Sequence, residues 1–246
     1  SQATKILENF KKKDKLYFWY KTKKIGRILS EDNSEKEAIN YINKNFNSIK
    51  KPTEKILYDY ANINKGFEKY EIAIEYYTEL LKNVDQSSYA ISRILYRRGS
   101  SYERTGNYEK ADRDLIESLK MYPNEPYTLN YLAYSWLERN YKIDEAIDMI
   151  QKAHKQKEND PYITDSVGWG FYLIGDYINA EKYLKKALQL MPDDPIVNDH
   201  YGDVLWKLNK KLQAKYYWQA VLGLEETEEE MKSKVKSKLL EGLEKS

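Results

Sequence analysis

The chain has 246 residues, 41% of them hydrophobic and 14% aromatic, enough apolar surface for a folded protein and too much for a disordered one. It holds 41 Lys and Arg against 39 Asp and Glu, a formal charge of +2, so it carries no global basic footprint for nucleic acid. The absence of cysteine excludes disulfide frameworks, thiolate metal centres and Cys nucleophiles, and no apolar run approaches the ~18 residues of a membrane span.

Ten Gly and six Pro suit a mostly helical chain with short turns. The opening, SQATKILENF, lacks Met and reads as a cut from a longer protein. Residues 1–18 fit the second helix of a preceding hairpin, with Ala3, Leu7 and Phe10 on one face. Residues 1–53 hold 13 Lys and Arg and 6 Asp and Glu, a local +7 that leaves the rest at −5. Within them, KKKDKLYFWYKTKK mixes Lys with Tyr17, Phe18, Trp19 and Tyr20, as single-strand nucleic-acid binders do. Lys is the default surface residue throughout this chain, however, so the stretch reads as a solvated face beside a packed aromatic.

From here on the sequence is periodic. Ala38/Ile42, Ala73/Tyr77, Ala111/Leu115, Ala146/Ile150, Ala180/Leu184 and Ala214/Trp218 share one pattern, their alanines 35, 38, 35, 34 and 34 residues apart. Upstream of each stands a second pair: Ile25-Gly26, Tyr60-Ala61, Arg98-Gly99, Leu132-Ala133, Val167-Gly168 and Tyr201-Gly202. Three residues after these pairs come Leu29, Asn64, Tyr102, Trp136, Phe171 and Leu205.

The pattern resembles the tetratricopeptide repeat, best in residues 161–194 (PYITDSVGWGFYLIGDYINAEKYLKKALQLMPDD) and nearly as well in 92–125. Arg98 in place of the usual leucine, Asn64 in place of the aromatic and Glu158 in place of proline are mild departures. The resemblance implies an all-α, right-handed superhelical solenoid of helix hairpins, each burying its apolar face against its neighbours. Its repeats fall at 19–53, 54–91, 92–125, 126–160, 161–194 and 195–226, with a capping helix at 227–246. In that last segment Met231, Val235, Leu239 and Leu243 form one apolar stripe. Its mixed polar face argues against a membrane-surface or calmodulin-type helix.

Little in the sequence supports catalysis. GWGFYLIGD, residues 168–176, has the G-x-x-x-x-G spacing of a phosphate loop, but Asp176 and Tyr177 stand where Lys and Ser or Thr are needed. Asn198, Asp199, His200 and Asp203 share one helix and read as a polar groove face rather than a metal or general-base site. No catalytic residue, metal or cofactor is expected, and no small-molecule substrate.

The resemblance instead implies a concave groove, lined by the first helix of each hairpin, that grips a protein or peptide. Matching places are Lys23, Arg27, Asp59, Asn62, Arg93 and Arg97 in the first three copies, and Asn130, Tyr134, Asp165, Trp169, Tyr172, Asp199, Asp203 and Trp206 in the last three. The row is basic first, then acidic and aromatic. Lys23, Arg93 and Arg97 fall on carboxylate-clamp places of chaperone-binding repeats, but Arg27 and Asp59 replace the clamp's asparagines, which argues against a chaperone tail. Trp169, Tyr134 and Trp206 are the better anchors, being large side chains with polar tips; Trp169 and Trp206 have packing between hairpins as the alternative.

LNYLAYSWLERN, DSVGWGFYLIGDY and NDHYGDVLWKL further resemble the closing repeats of certain proteobacterial tetratricopeptide proteins. Many of these are exported, some as lipoproteins, and some bring substrates to an envelope protease. That implies a bacterial adaptor in the periplasm or on the periplasmic face of the outer membrane, with the cytoplasm as the alternative. Two rival readings remain: a nucleic-acid accessory protein using the basic N-terminal third, or a regulatory module of a larger enzyme. No membrane span is expected in residues 1–246.

Overall fold

A computed structural model of the chain describes residues 14–32, 35–82, 87–225 and 227–243. Thirteen helices occupy them. In order these are α1 (Lys15–Glu31), α2 (Glu35–Asn47), α3 (Glu54–Gly66), α4 (Tyr70–Leu80), α5 (Ser88–Arg104), α6 (Tyr108–Met121) and α7 (Pro126–Glu138). They continue as α8 (Ile143–Gln156), α9 (Pro161–Leu173), α10 (Tyr177–Leu190), α11 (Pro195–Lys207), α12 (Lys211–Gly223) and α13 (Glu229–Glu241). The fold is the all-α class of stacked helix hairpins, closed by a final single helix. Two compact units divide the chain, residues 1–121 and 122–246. The sequence's shift from a basic to an acidic and aromatic row falls at this division.

The local chemistry explains where each first helix begins. Thr53, Ser87, Asp160 and Asp194 are extended N-caps whose side-chain oxygens accept backbone N–H groups of the first turn. Pro126, Pro161 and Pro195 follow at the first helical position, where a missing N–H costs nothing. Asp14 caps α1 in the same way by accepting from the Leu16 N–H, at 2.9 Å. Residues 15–18, expected to close a preceding helix, therefore begin α1. Ala3, Leu7 and Phe10 lie outside the described residues.

The glycines of GWGFYLIGD have two separate jobs. Gly168 lets α9 and α10 approach, since a Cβ there would sit 2.6 Å from Leu184 Cγ. Gly175 has φ +81° and closes α9 with a Schellman turn. In that turn the Asp176 N–H donates to the Phe171 carbonyl at 3.0 Å, and the Gly175 N–H to that of Tyr172 at 3.0 Å. The same pair of bonds closes α3, α5, α7 and α11, where Glu68, Gly106, Asn140 and Asn209 take the left-handed place. The phosphate-loop spacing is thus a by-product of hairpin geometry.

In the N-terminal unit, Trp19, Ile42, Phe46, Ile49, Ile56 and Tyr60 form a buried cluster across α1, α2 and α3. Trp19 is 1% exposed beneath Phe46 and Tyr60, so it offers no face for a nucleobase. Tyr17 and Tyr20, from the same basic stretch, are exposed. In the C-terminal unit, Leu184, Tyr201, Val204, Leu205, Trp218 and Val221 join Val235 of α13 in one cluster. Met231, Leu239 and Leu243 pack against it, so the apolar stripe read from the sequence seals the last hairpin.

Candidate functional site

The first helices of successive hairpins in the C-terminal unit, α7, α9 and α11, lie against one another. Their shared face carries a row of aromatic and charged groups. Trp169 is at its centre, half-buried. Its indole ring stacks on His200 of α11 with centroids 4.0 Å apart, and on Tyr172 with centroids 4.7 Å apart. Its Nε1–H donates to Glu138 Oε1 at the end of α7, at 2.7 Å. Trp169 is therefore both a spacer between hairpins and a partly open surface: three neighbours fix its ring in one orientation.

Behind it, His200 Nδ1 lies 3.0 and 3.1 Å from the two carboxylate oxygens of buried Asp165. Burial pulls the imidazolium down, but the charge and hydrogen bond of Asp165, with Asp199 and Asp203 nearby, outweigh it and hold His200 above its ordinary value. The expected polar groove face at Asn198, Asp199, His200 and Asp203 is thus largely internal: Asn198, His200 and Asp203 are buried.

Asp199 and Asp203 have a partner that the sequence reading did not assign. Lys238 of α13 places its Nζ 2.8–2.9 Å from all four of their carboxylate oxygens. Asp203 also accepts from Trp218 Nε1 at 2.9 Å. Burial, then the charge of Asp199, pushes the Asp203 carboxyl up to about 6 against the opposing pull of Lys238 and His200. Burial opposes charge on Lys238, but the two aspartates outweigh it and raise the ammonium above its usual range. Trp206 lies against Trp218 with centroids 5.2 Å apart, under the Lys211 ammonium and the backbone of Gly242. The final helix thus engages two of the expected groove residues and the turn after it adjoins a third, Trp206, which stays half-buried. Asn130 is half-buried with an unpartnered Oδ1, and Tyr134 is half-buried.

In the N-terminal unit the expected residues divide between internal pairs and aromatic contacts. Lys23 donates to Asp59 at 2.6 Å, and Asp59 also accepts from Trp19 Nε1 at 3.2 Å. Arg27 pairs with Glu31 at 2.7 Å on an exposed helix turn. Asn62 Oδ1 accepts from the Tyr77 hydroxyl at 2.7 Å. Arg93 lies over Tyr89, and Arg97 donates to the Tyr58 hydroxyl at 2.9 Å. Among the described residues no group of three or more His, Asp or Glu is placed to hold a metal ion.

These paired helices, caps and inner faces define a helix-hairpin repeat protein. A family model described as the tetratricopeptide repeat matches residues 92–125. A TPR repeat-containing protein of Pseudomonas aeruginosa is 33% identical over 152 residues, covering 55% of this chain and 26% of that protein. A solved tetratricopeptide protein of Thermus thermophilus is 17% identical, with a TM-score of 0.64 over 76% of this chain and 100% of its own. The APC/C hetero-tetramer Cut9–Hcn1 is 19% identical, with a TM-score of 0.73 over 99% of this chain and 45% of that chain. The chain holds a tetratricopeptide repeat at residues 92–125 and has the fold of tetratricopeptide-repeat solenoids, proteins that generally mediate protein–protein contacts. It spans about a quarter or less of the length of the curated relatives it matches. No described helix is long and apolar enough to cross a membrane.

The buried charges make stability pH-dependent. His200 and Asp203 both hold protons more tightly folded than unfolded. The His200 contribution is present below its ordinary 6.5 and fades as pH rises through its raised folded value. That of Asp203 is present below 3.8 and fades as pH rises through about 6. His154, lowered by burial and then by Lys186, opposes them below 6.5. The C-terminal unit is expected to be more stable at pH 5.5 than at pH 8, by on the order of 1 kcal/mol. Urea midpoints at the two pH values check this, with Asp203→Asn flattening the dependence; a midpoint that rises toward pH 8 contradicts it.

Proposed function

We propose that the chain is a non-catalytic adaptor that holds a segment of another protein on the inner face of its C-terminal unit. The observation that supports this most directly is Trp169, half-buried yet fixed by Tyr172, His200 and Glu138. An aromatic surface held before binding loses little freedom on contact, which is how an anchor gains affinity. Tyr162, one turn before Asp165 on α9, is 62% exposed and extends the same helix's aromatic surface. The lysine-engaged pair Asp199 and Asp203 serves here to hold α13, and the half-buried Trp206 packs on Trp218 beside it, leaving the Trp169 region as the main contact.

The test is affinity capture from envelope extract, identification of the partner, and pairwise binding with purified Trp169→Ala. Affinity is expected to fall at least about tenfold with the helical spectrum unchanged. Undiminished binding by the folded variant removes Trp169 from the interface and this reading with it.

We place the adaptor in the bacterial envelope, facing the periplasm, on the resemblance of its closing repeats to exported relatives of that kind. Fractionation of cells expressing the complete gene product tests the location; recovery with the cytosolic fraction overturns it.

A further inference from the structure

The second helices of the last two hairpins break a rule that the first four copies keep. Two residues before the repeated alanine stand Lys36, Glu71, Glu109 and Asp144 in the first four copies. The last two copies place Ile178 and Leu212 there. All six positions are exposed, and Ile178 and Leu212 are 70% and 88% open to solvent. Two residues after the alanine the change recurs: Asn40, Glu75, Arg113, Asp148 and Lys182 are followed by Tyr216, itself 70% exposed. Packing within the hairpins does not explain apolar groups at places the fold leaves in water.

Lysines surround these side chains. An open depression of about 480 Å³ in the C-terminal unit is lined by Lys185 of α10, Tyr201 of α11, and Leu212, Gln213, Tyr216 and Tyr217 of α12. Exposed Lys182, Lys211 and Lys215 lie on the same two second helices. Glu181 is the one carboxylate in α10 and α12, and Lys210 already pairs with it. Residues 122–246 hold 17 Lys and Arg against 21 Asp and Glu, so this face is positive on an acidic unit. The kind of cation also matters. All seven arginines precede residue 140, which leaves this face with lysine alone. Protein carboxylates are met best by the guanidinium fork, whereas lysine is a point charge on a flexible apolar stem. Long lysine stems, tyrosine rings with polar tips and protruding aliphatic groups are the chemistry of a lipid–water interface.

We propose that this face docks on an anionic phospholipid surface. Ile178, Leu212 and Tyr216 enter the headgroup layer, and Lys182, Lys185, Lys211 and Lys215 meet its phosphates. Each lysine held near such a surface strengthens binding about fivefold. The inserted apolar groups add a contribution that salt does not screen. The surface goes beyond the adaptor reading and shares no residue with the Trp169 contact, so it does not depend on the partner held there.

The test is sedimentation of the full chain with vesicles of phosphatidylglycerol and phosphatidylcholine in equal parts, beside vesicles of phosphatidylcholine alone. Binding to the anionic vesicles is expected to be at least about tenfold tighter than to the neutral ones. The double variant Lys185→Gln, Lys215→Gln is expected to weaken it about tenfold or more. Leu212→Ser, Tyr216→Ser changes no charge and is expected to weaken it to a similar degree. Both of those side chains are exposed, so the fold is kept, with helical content as the check. Lys234→Gln, Lys236→Gln removes the same charge from exposed places on α13 and is expected to bind as the parent does. Absence of binding to the anionic vesicles overturns the proposal. So does affinity unchanged by Leu212→Ser, Tyr216→Ser, which would assign the binding to lysines elsewhere in the chain. Self-association abolished by that variant, in place of vesicle binding, gives the face to a second copy and overturns it too.

Discussion

Asp114→Ala is expected to destabilise the N-terminal unit by about 3–5 kcal/mol, among the largest effects of any single substitution in that unit. Asp114 is 2% exposed and receives two bonds from one guanidinium: Arg98 Nε at 2.6 Å and Arg98 Nη2 at 2.9 Å. Arg98 Nη1 adds a bond to Thr78 Oγ1 of α4 at 3.1 Å, so the pair joins the α5–α6 hairpin to the one before it. Removing the carboxylate leaves a largely buried cation with only a threonine and the Tyr102 ring beside it. Removing both charges is a different experiment. The double variant Arg98→Leu, Asp114→Ala supplies the leucine usual at this place in the repeat and leaves no charge uncompensated. It is expected to recover most of the loss, because a buried ion pair replaced by apolar groups is often neutral or stabilising. Hydrogen exchange of residues 88–121 reads both variants. A double variant as unstable as Asp114→Ala would mean that the guanidinium's geometry, rather than its compensated charge, holds the hairpins together.

This pair also marks how far the sequence can be read. Arg98 stood out as a departure from the repeat pattern, yet its partner was readable: Asp114 is 16 residues on, the offset that also joins Gly168 to Leu184 and Gly202 to Trp218. Hairpin packing repeats because close approach needs a small residue opposite a large one, and a charge can replace the large apolar group only if its opposite number changes too. The period and the identity of the packed positions follow from that requirement and are visible without coordinates.

The inner face was harder to read. A place in the repeat frame tells which residues line the inner face, not which of them meet solvent. The structure instead pairs many of them one period apart: Lys23 with Asp59, Asp165 with His200, Asp203 with Lys238. Those offsets of 36, 35 and 35 residues become meaningful once the repeat length is known, and opposite charges in such columns indicate mutual neutralisation rather than ligand contact. Trp206 is a harder case. Its covering comes from Gly242, whose φ of +79° turns the backbone over the indole after α13 ends. Neither composition nor periodicity specifies that path. Glu138, which orients Trp169, lies 31 residues before it, an offset that is not the repeat length.

Lys238→Met is expected to loosen α13 and cost the C-terminal unit about 3 kcal/mol or more. One ammonium neutralises two carboxylates here, and Asp203 is 5% exposed, so its removal leaves like charges facing each other where water enters poorly. Protonation of Asp203, already shifted upward, limits the loss at low pH, so the variant should be least stable relative to its parent above pH 7. Val235 remains in the apolar cluster and keeps the helix attached in part. The triple variant Asp199→Asn, Asp203→Asn, Lys238→Met removes all three charges while leaving Asp203's place an acceptor for Trp218. It is expected to regain most of the stability, with hydrogen exchange of residues 211–243 as the measurement. The same set decides what the aspartates do. If they anchor the final helix, partner binding through Trp169 persists in the triple variant. If instead they contact a partner and Lys238 only fills their place, Lys238→Met leaves the exchange of α13 unchanged and the triple variant loses the partner. Four contacts of 2.8–2.9 Å to a half-buried lysine favour the first outcome, because a pair poised for a ligand would have little reason to be neutralised by the chain that carries it.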